Sequence, residues 1–300
     1  MQPALLSAQP VLRLNLQLGE GPLWDFHRQQ LFFVDINAQQ LHYYHPQRQQ
    51  HGYHQLRQMP TALGLQSDRS LLVALENCLA RFVPETNELT VLWEVDIDVK
   101  QVRTNDAKVG PDGCYYLGTM DREQQHPVAR FYRVDTEGSI DCLLEERTIS
   151  NGITWSSDQR TMHYIDSPTR TVQSYDFNPA TGTMTNPRTL VEVEEGEGIP
   201  DGMTIDNEDH LWVAHNGAGY VARYHGRTGT LLARVEVPAP QVTSCAFGEE
   251  DYRTLYITTA RDGLSDEQLQ RYPESGSLFA VRPPWRGQPT FCFGKYYPGG

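Results

Sequence analysis

The segment DGMTIDNEDHLWVAHN, residues 201–216, has the pattern of two short β-strands joined by a tight turn. Apolar residues alternate in its first part, Asn, Glu and Asp supply the turn, and a second apolar run follows. Such an arrangement is typical of a β-hairpin. Residues 151–167, NGITWSSDQRTMHYIDS, show the same order of features 50 residues earlier. The two copies therefore predict a repeated sheet.

The pattern occurs six times along the chain, and further strand-like runs such as LHYYHP and VARYHG follow the hairpins. The copies start 41 to 50 residues apart, which is the length of a four-stranded propeller blade. The sequence therefore predicts an all-β fold, a six-bladed β-propeller, with residues 1–300 as a single domain. The six copies begin at Glu20, Thr61, Asn105, Asn151, Asp201 and Thr243.

Residues 12–18 precede the first copy and alternate strictly between leucine and a polar residue. This alternation predicts a half-buried strand. We expect this N-terminal strand to complete the last blade beside SLFAVR, residues 277–282, which would close the ring and cover the edge of that blade. A free N-terminal arm is the alternative.

Charge and composition narrow the class of protein. The chain has 38 acidic and 25 basic residues, a net charge of −13, which argues against nucleic acid or an anionic membrane as the main partner. No stretch approaches the roughly 20 apolar residues of a membrane-spanning helix, and the N-terminus lacks a secretory pattern. The five cysteines are scattered without a CxxC pair, as in a protein of a reducing compartment. We therefore expect a cytoplasmic protein, a monomer or weak oligomer.

The first residues of the six copies form a column that would surround one end of the central channel. Glu20, Asn151 and Asp201 stand out because a glycine follows each, and glycine permits close approach of the backbone or an unusual conformation. Two carboxylates and an amide suit a hard divalent cation and leave coordination positions open for water and substrate. The alternative is that these residues cap strand ends, as Asn, Asp and Gly often do.

Four motifs resemble the senescence marker protein/gluconolactonase/luciferin-regenerating enzyme family, the group that includes regucalcin. The resemblance covers nearly the whole chain, and the four motifs follow the family's order. The motifs are LGEGPLWD (18–25), RTNDAKVGPDGCYYLGTM (103–120), SNGITWSSD (150–158) and PDGMTIDNEDHLWVAHNGAG (200–219).

The resemblance implies a six-bladed propeller that hydrolyses sugar lactones with one divalent metal ion. It places the metal ligands at Glu20, Asn151 and Asp201, the trio already reached from the repeat. It also implies substrate contacts at Arg103, Asn105 and Glu123, although Asp121 is acidic as well. The loop after GTM is shorter than the lid of some family members, which favours a more open site.

The mechanism that fits these residues is attack of water on the lactone carbonyl, with the metal polarising the carbonyl and stabilising the oxyanion. Asp201 is the expected general base, because a carboxylate that binds metal through one oxygen can accept a proton with the other. Arg103 and Asn105 would hold sugar hydroxyls or the ring oxygen. His215 is expected to be a strand-end histidine with satisfied nitrogens, since no second histidine lies at ligand spacing.

Other functions stay open at this point. The resemblance to regucalcin allows a calcium-binding regulator without required catalysis, and a related esterase or phosphotriesterase would use the same chemistry. Oxygen ligands accept Ca²⁺, Mg²⁺, Mn²⁺, Fe²⁺ or Zn²⁺, so the sequence does not select the metal. It does not select the sugar lactone either.

Overall fold

The computed structural model describes residues 3–294, and its strands form six β-sheets. The short runs of apolar residues in the six sequence copies become strands, and polar turns separate them. No helix among residues 3–294 is both long and apolar enough to cross a membrane. The first strands are β1 (Ala4–Ser7), β2 (Gln9–Leu12), β3 (Gly19–Asp25), β4 (Gln30–Asp35), β5 (Gln40–His45), β6 (Gln50–Gln55), β7 (Pro60–Gln66), β8 (Leu71–Leu75), β9 (Cys78–Val83), β10 (Glu88–Glu94), β11 (Val102–Val109), β12 (Tyr115–Asp121) and β13 (Ala129–Val134). They are followed by β14 (Ile140–Arg147), β15 (Ser150–Trp155), β16 (Thr161–Asp166), β17 (Thr171–Asn178), β18 (Thr183–Glu192), β19 (Ile199–Ile205), β20 (Leu211–Asn216), β21 (Tyr220–Tyr224), β22 (Leu231–Glu236), β23 (Val242–Gly248), β24 (Thr254–Thr259), β25 (Leu278–Val281) and β26 (Cys292–Phe293). The helical segments are the 3-10 turns Pro46–Arg48 and Ser167–Thr169 and the helix α1 (Asp266–Arg271).

Each sheet is one blade of the propeller. The blades are β3–β6, β7–β10, β11–β14, β15–β18, β19–β22 and β23–β25, in the order of the six sequence copies. The first strand of each blade is innermost and contacts the first strand of the next blade, and β23 contacts β3. The six inner strands therefore surround a central axis, which confirms the predicted six-bladed propeller.

The hydrophobic core lies between the blades. It divides into six clusters, and each cluster joins residues of two neighbouring blades. Trp24 and Trp155, at matching repeat positions, are each 1% exposed and belong to this core. Because each blade is covered on both faces by its neighbours, packing between blades stabilises the ring.

The N-terminus closes the ring, but with a different segment from the one predicted. Strand β2, residues 9–12, pairs antiparallel with β25 and completes the sixth blade. The predicted strand at residues 12–18 was wrong beyond Leu12. Its leucines still turn inward and its polar residues outward, yet the segment follows the route into β3 without a ladder of hydrogen bonds. The alternation of leucine and polar residues here indicates which side chains are buried. A segment can bury alternate side chains without pairing with a neighbouring strand.

Both ends of the chain add strands to blades formed by other parts of the chain. Strand β1 extends the fifth blade in parallel with β22, and β26 pairs in parallel with the inner strand β7. The inner strands enclose a cavity on the propeller axis. Residues 288–291 line this axial cavity at the end opposite the column. The assignment of residues 1–300 to one domain stays a prediction, and residues 1–2 and 295–300 lie outside the described residues.

Candidate functional site

The six column residues lie at one end of the inner strands, where every inner strand pairs irregularly with its neighbour. The register of each inner strand shifts at the column, as in β-bulges. Bulges turn side chains away from the regular pleat and are common beside functional sites. The shifts span Glu20/Leu23, Pro60/Ala62, Thr104/Ala107, Asn151/Ile153, Pro200/Met203 and Val242/Ser244.

The glycines after the proposed ligands provide the space for neighbouring inner strands to meet. A Cβ atom on Gly152 would lie 2.7 Å from the backbone oxygen of Asp201, and one on Gly202 would lie 2.1 Å from Ser244 Oγ. Gly21 has a φ of +54°, a conformation that side chains disfavour. The predicted reasons for these glycines, close approach and unusual backbone, are confirmed.

Two asparagines connect the predicted substrate contacts to the predicted metal ligands. Asn105 Nδ2 donates to Asn151 Oδ1 at 2.9 Å and to the backbone oxygen of Ser150 at 2.9 Å. Asn151 Nδ2 donates to Ser167 Oγ at 2.8 Å. These bonds fix which end of each amide is oxygen. Since a carbonyl oxygen has two lone pairs, Asn151 Oδ1 retains one for a cation.

Glu20 and Asp201 carry the negative charge of the site. Burial raises the pKa of Asp201 to about 7, and the charge of Asp106 adds to the effect. Burial, followed by repulsion from Asp201 and Asp106, raises the pKa of Glu20 well above its usual range. A cation bound between these carboxylates would offset both the cost of burying their charges and the repulsion between acidic groups. The two residues therefore fit a metal site electrostatically.

The oxygen donors of the column fit a hard divalent cation. Glu20 and Asp201 offer carboxylate oxygens and Asn151 an amide oxygen, the ligand types that such ions prefer. Within residues 3–294, no group of three or more His, Cys, Asp or Glu side chains is placed to hold a metal. A cation held by Glu20 and Asp201 would therefore depend on the amide of Asn151 as a third ligand.

Arg103 lies beside these residues. Its Nη1 donates to Asn105 Oδ1 at 2.9 Å and to the backbone oxygen of Thr104 at 2.8 Å. Burial and the charge of Arg122 lower the pKa of Arg103 to about 10, although the charges of Glu20, Glu76 and Asp201 oppose this shift. The guanidinium is therefore charged at neutral pH, and it extends the hydrogen-bonded row that runs through Asn105 to Asn151.

Glu123 is not brought to this row. Its side chain is 75% exposed, and its carboxylate lies 3.7 Å from His126 Nδ1. Asp121, the other acidic candidate in this motif, is buried and accepts the backbone N–H groups of Gln125 and His126. Substrate binding by Glu123 stays a prediction.

A second column, at the ends of the second strands, holds the ligand segments in place. Asp35 accepts the N–H groups of Gln17 and Leu18, just before Glu20. Asp166 likewise accepts the N–H groups of Thr148 and Ile149, just before Asn151. These buried carboxylates secure the approach to two of the three proposed ligands.

In the fifth blade, His215 occupies the position equivalent to Asp35 and Asp166, but its side chain donates a hydrogen bond to the backbone where theirs accept. Its Nδ1 donates to the backbone oxygen of Glu197 at 2.7 Å, and Tyr224 Oη donates to its Nε2 at 3.0 Å. Burial lowers the pKa of His215 to about 4, so the ring is neutral. The prediction of a strand-end histidine with both nitrogens satisfied is confirmed.

The residue after this second column reaches the ligands themselves. Ser167 Oγ accepts from Asn151 and donates to the backbone oxygen of Pro200, whereas Asn216 Nδ2 donates to Asp201 Oδ2 at 2.9 Å. The sequence places Asn216 after the fifth inner strand, within reach of the channel, but gives Ser167 no role. Aligning the ends of the second strands, as was done for the inner strands, would have found both.

Asp106 and Lys108 were also missed, although they lie within a quoted motif. They line the axial cavity below the column, and Lys108 Nζ donates to the backbone oxygen of Met203 at 2.8 Å. Burial raises the pKa of Asp106 and lowers that of Lys108, and the opposite charge of each group opposes the shift of the other. Two buried ionisable groups of opposite type thus line the cavity below the column.

Comparison with known proteins gives one consistent result. The family described as SMP-30/Gluconolactonase/LRE-like region matches residues 18–261. The chain is 35% identical over 276 residues to regucalcin from Sus scrofa, covering 90% of this chain and 92% of that protein. It is 32% identical over 265 residues to a protein of Bacillus subtilis (strain 168) provisionally named sugar lactone lactonase YvrE, covering 88% of this chain and 91% of that protein.

Solved structures agree with the sequence comparison. The structure of a calcium-binding protein, regucalcin, from Agrobacterium tumefaciens str. C58 matches with a TM-score of 0.93 at 28% identity, covering 98% of this chain and 99% of that one. A luciferin-regenerating enzyme matches with a TM-score of 0.88 at 28% identity, covering 95% of this chain and 98% of that one. Both likenesses support the propeller fold described above.

Proposed function

Because the chain belongs to the SMP-30/gluconolactonase/LRE-like family, we propose that it is a metal-dependent hydrolase of sugar lactones. One observation carries the proposal: two mutually repelling carboxylates, Glu20 and Asp201, share one end of the axis with the row Asn151–Asn105–Arg103. Acidic residues that need a cation therefore lie beside neutral and cationic groups that can bind a hydroxylated ring.

The proposed metal ligands are Glu20, Asn151 and Asp201. When bound, a divalent cation supplies Lewis acidity at the lactone carbonyl and stabilises the negative charge that develops on its oxygen. Asp35, Asp166, Ser167 and Asn216 hold the ligand segments in place. Asn216 in particular fixes the Asp201 carboxylate through Oδ2 and so orients its other oxygen.

Asp201 is the proposed general base. It takes a proton from the water that attacks the carbonyl carbon, and a new carbon–oxygen bond forms. The ring carbon–oxygen bond then breaks, and the leaving ring oxygen receives the proton that Asp201 took from water, so that one lactone and one water give one hydroxy acid and Asp201 is restored. Arg103 and Asn105 orient the ring through its hydroxyls or ring oxygen during these steps.

The deciding experiment measures acid release by metal-stripped protein on a panel of aldonolactones, with Ca²⁺, Mg²⁺, Mn²⁺, Fe²⁺ and Zn²⁺ restored one at a time. We expect metal-dependent acidification well above spontaneous hydrolysis for at least one lactone. Such a result names both substrate and metal. No acceleration with any combination contradicts the proposal.

A metal-binding role without catalysis is the second candidate, favoured by the regucalcin relatives and the oxygen donors of the ring. The same panel separates the two functions. Stoichiometric metal binding without lactone hydrolysis would support this second role. A panel of simple carboxylic and phosphate esters would show whether a related esterase activity is present.

Metal affinity is expected to fall as pH falls. Because the pKa of Asp201 is raised to about 7 in the metal-free protein, a proton must leave before the carboxylate can bind a cation. From Asp201 alone, affinity should be about tenfold weaker at pH 6 than at pH 8, and the raised pKa of Glu20 adds to this. Titration calorimetry in buffers of different ionisation enthalpy measures both affinity and proton release. Affinity that is constant from pH 6 to pH 8, without proton release, contradicts this expectation.

A further inference from the structure

We propose that Arg122 and Glu76 form a second substrate subsite, which binds the hydroxyl groups of the sugar away from the lactone carbonyl. This inference rests on the proposed lactone site, because it assigns the side of the mouth on which the hydroxylated part of the substrate lies. The subsite would take a neutral polyhydroxylated ring or side chain. A lactone without hydroxyl groups would make no hydrogen bonds with this subsite, so its affinity would not depend on it.

Both residues occupy the mouth of the propeller. Arg122 directly follows β12 and Glu76 directly follows β8, and second strands end where the inner strands begin. The N–H of Arg122 donates to the backbone oxygen of Gln101 at 2.8 Å. The N–H of Thr104 donates to the backbone oxygen of Glu76 at 2.9 Å. Both residues are therefore hydrogen-bonded through their backbones to the segment that carries Arg103 and Asn105.

The two side chains form a pair. An Nη2 atom of Arg122 contacts Glu76 Oε1, and Arg122 Nε donates to the backbone oxygen of Val99 at 2.8 Å. Arg103 is within electrostatic reach of this pair, since Arg122 lowers its pKa and Glu76 raises it. The pair thus lies beside the Arg103 end of the row, since backbone hydrogen bonds join it to Gln101 and Thr104 on either side of Arg103.

The chemistry of the pair suits hydroxyl groups. The contacts above use two of the five N–H donors of the guanidinium, and a carboxylate accepts several hydrogen bonds. A hydroxyl group both donates and accepts, so neighbouring hydroxyls can bind the guanidinium and the carboxylate together. The side chains of Arg122 and Glu76 are 26% and 32% exposed, enough to meet a ligand while their positions are held.

The orientation of the loop favours Arg122 over its neighbour. The buried carboxylate of Asp121 accepts backbone N–H groups from further along the same loop, which fixes the turn after β12. In that turn Arg122 contacts Glu76 of the adjacent blade, whereas Glu123 faces His126 in its own loop. The residue of this loop that contacts the neighbouring blade is therefore Arg122.

The test compares binding of two uncharged, hydrolysis-resistant probes: D-glucono-1,5-lactam, which carries hydroxyls, and δ-valerolactam, which has the same ring without them. We expect Arg122→Met to weaken binding of the hydroxylated lactam about tenfold and to leave the bare lactam unchanged. Glu76→Gln should also weaken binding of the hydroxylated lactam, but by less than tenfold. Arg81→Met, which removes an arginine paired with Asp68, is the matched control and should change neither affinity.

Kinetics on the corresponding lactones separates this inference from the proposed function. With D-glucono-1,5-lactone, Arg122→Met should raise KM about tenfold with kcat nearly constant, whereas δ-valerolactone should show no change. Equal effects on both compounds, or no loss of lactam binding in either folded variant, overturn the subsite. A wild-type protein that hydrolyses no lactone overturns the proposed function, while the lactam measurements still decide the subsite. Thermal unfolding of each variant identifies any that fails to fold.

Discussion

Asp201→Asn is expected to lower kcat for lactone hydrolysis by about 10³-fold or more. The substitution keeps the size of the side chain but removes the proposed base and one of the two negative charges that attract the metal. It also places an amide opposite the donating Nδ2 of Asn216. Acid release under saturating metal and lactone measures the loss, and calorimetry reports the accompanying loss of metal affinity.

The same substitution should not destabilise the metal-free protein. The folded-state pKa of Asp201 is raised to about 7, so folding disfavours the ionised carboxylate, and this penalty grows as pH rises from the unfolded pKa towards 7. At pH 8 the metal-free variant should melt at the same temperature as wild type or higher. Asp176→Asn is the control and should retain activity, because Asp176 is an exposed residue on the third strand of the fourth blade, where it pairs with Arg188. Normal kcat in Asp201→Asn would remove Asp201 from the mechanism.

Gly152→Ala is expected to lower the free energy of unfolding by about 2–4 kcal/mol. The new methyl group would lie 2.7 Å from the backbone oxygen of Asp201 and 2.5 Å from Ile165 Cδ1. Relief requires the fourth and fifth inner strands to move apart, which separates two proposed metal ligands. Metal affinity should therefore fall together with stability.

Gly217→Ala is the matched control for that collision. Gly217 has a φ of +90°, and a methyl group there would have no heavy atom within 4 Å. This control incurs the backbone strain, about 1–3 kcal/mol, without the clash. Urea unfolding and metal titration of both variants, each metal-free at the start, make the comparison. If Gly152→Ala keeps the metal affinity of wild type, the packing at Gly152 does not hold the ligand pair together.

The repeat in the sequence was sufficient to predict the blades, the column and the glycines beside it. Each of these depends on a local pattern of strand, turn and small residue that recurs in register. The segment at residues 12–18 shows the limit of such patterns, because alternation describes which side chains are buried but does not identify a hydrogen-bonded neighbour.

The partners of the site residues were harder to predict, since they come from other strands. Asn216 contacts Asp201 from the adjacent strand, and Ser167 contacts Asn151 from the turn that follows the adjacent strand. Arg122 and Glu76 meet across two blades, so neither periodicity nor spacing within one copy indicates their contact. Contacts of this kind depend on bulges and loop conformations that a single sequence does not specify.

The closure of the sixth blade has a consequence for the order in which the protein forms. Strand β2 is synthesised well before β25, its hydrogen-bonded partner, so it has no sheet edge to join until nearly the whole chain has been translated. Contacts between residues so distant in sequence form slowly, and exposed strands promote aggregation while they wait. Ring closure is therefore a late step of folding, and β1 and β2 stay without their strand partners until the fifth and sixth blades have formed.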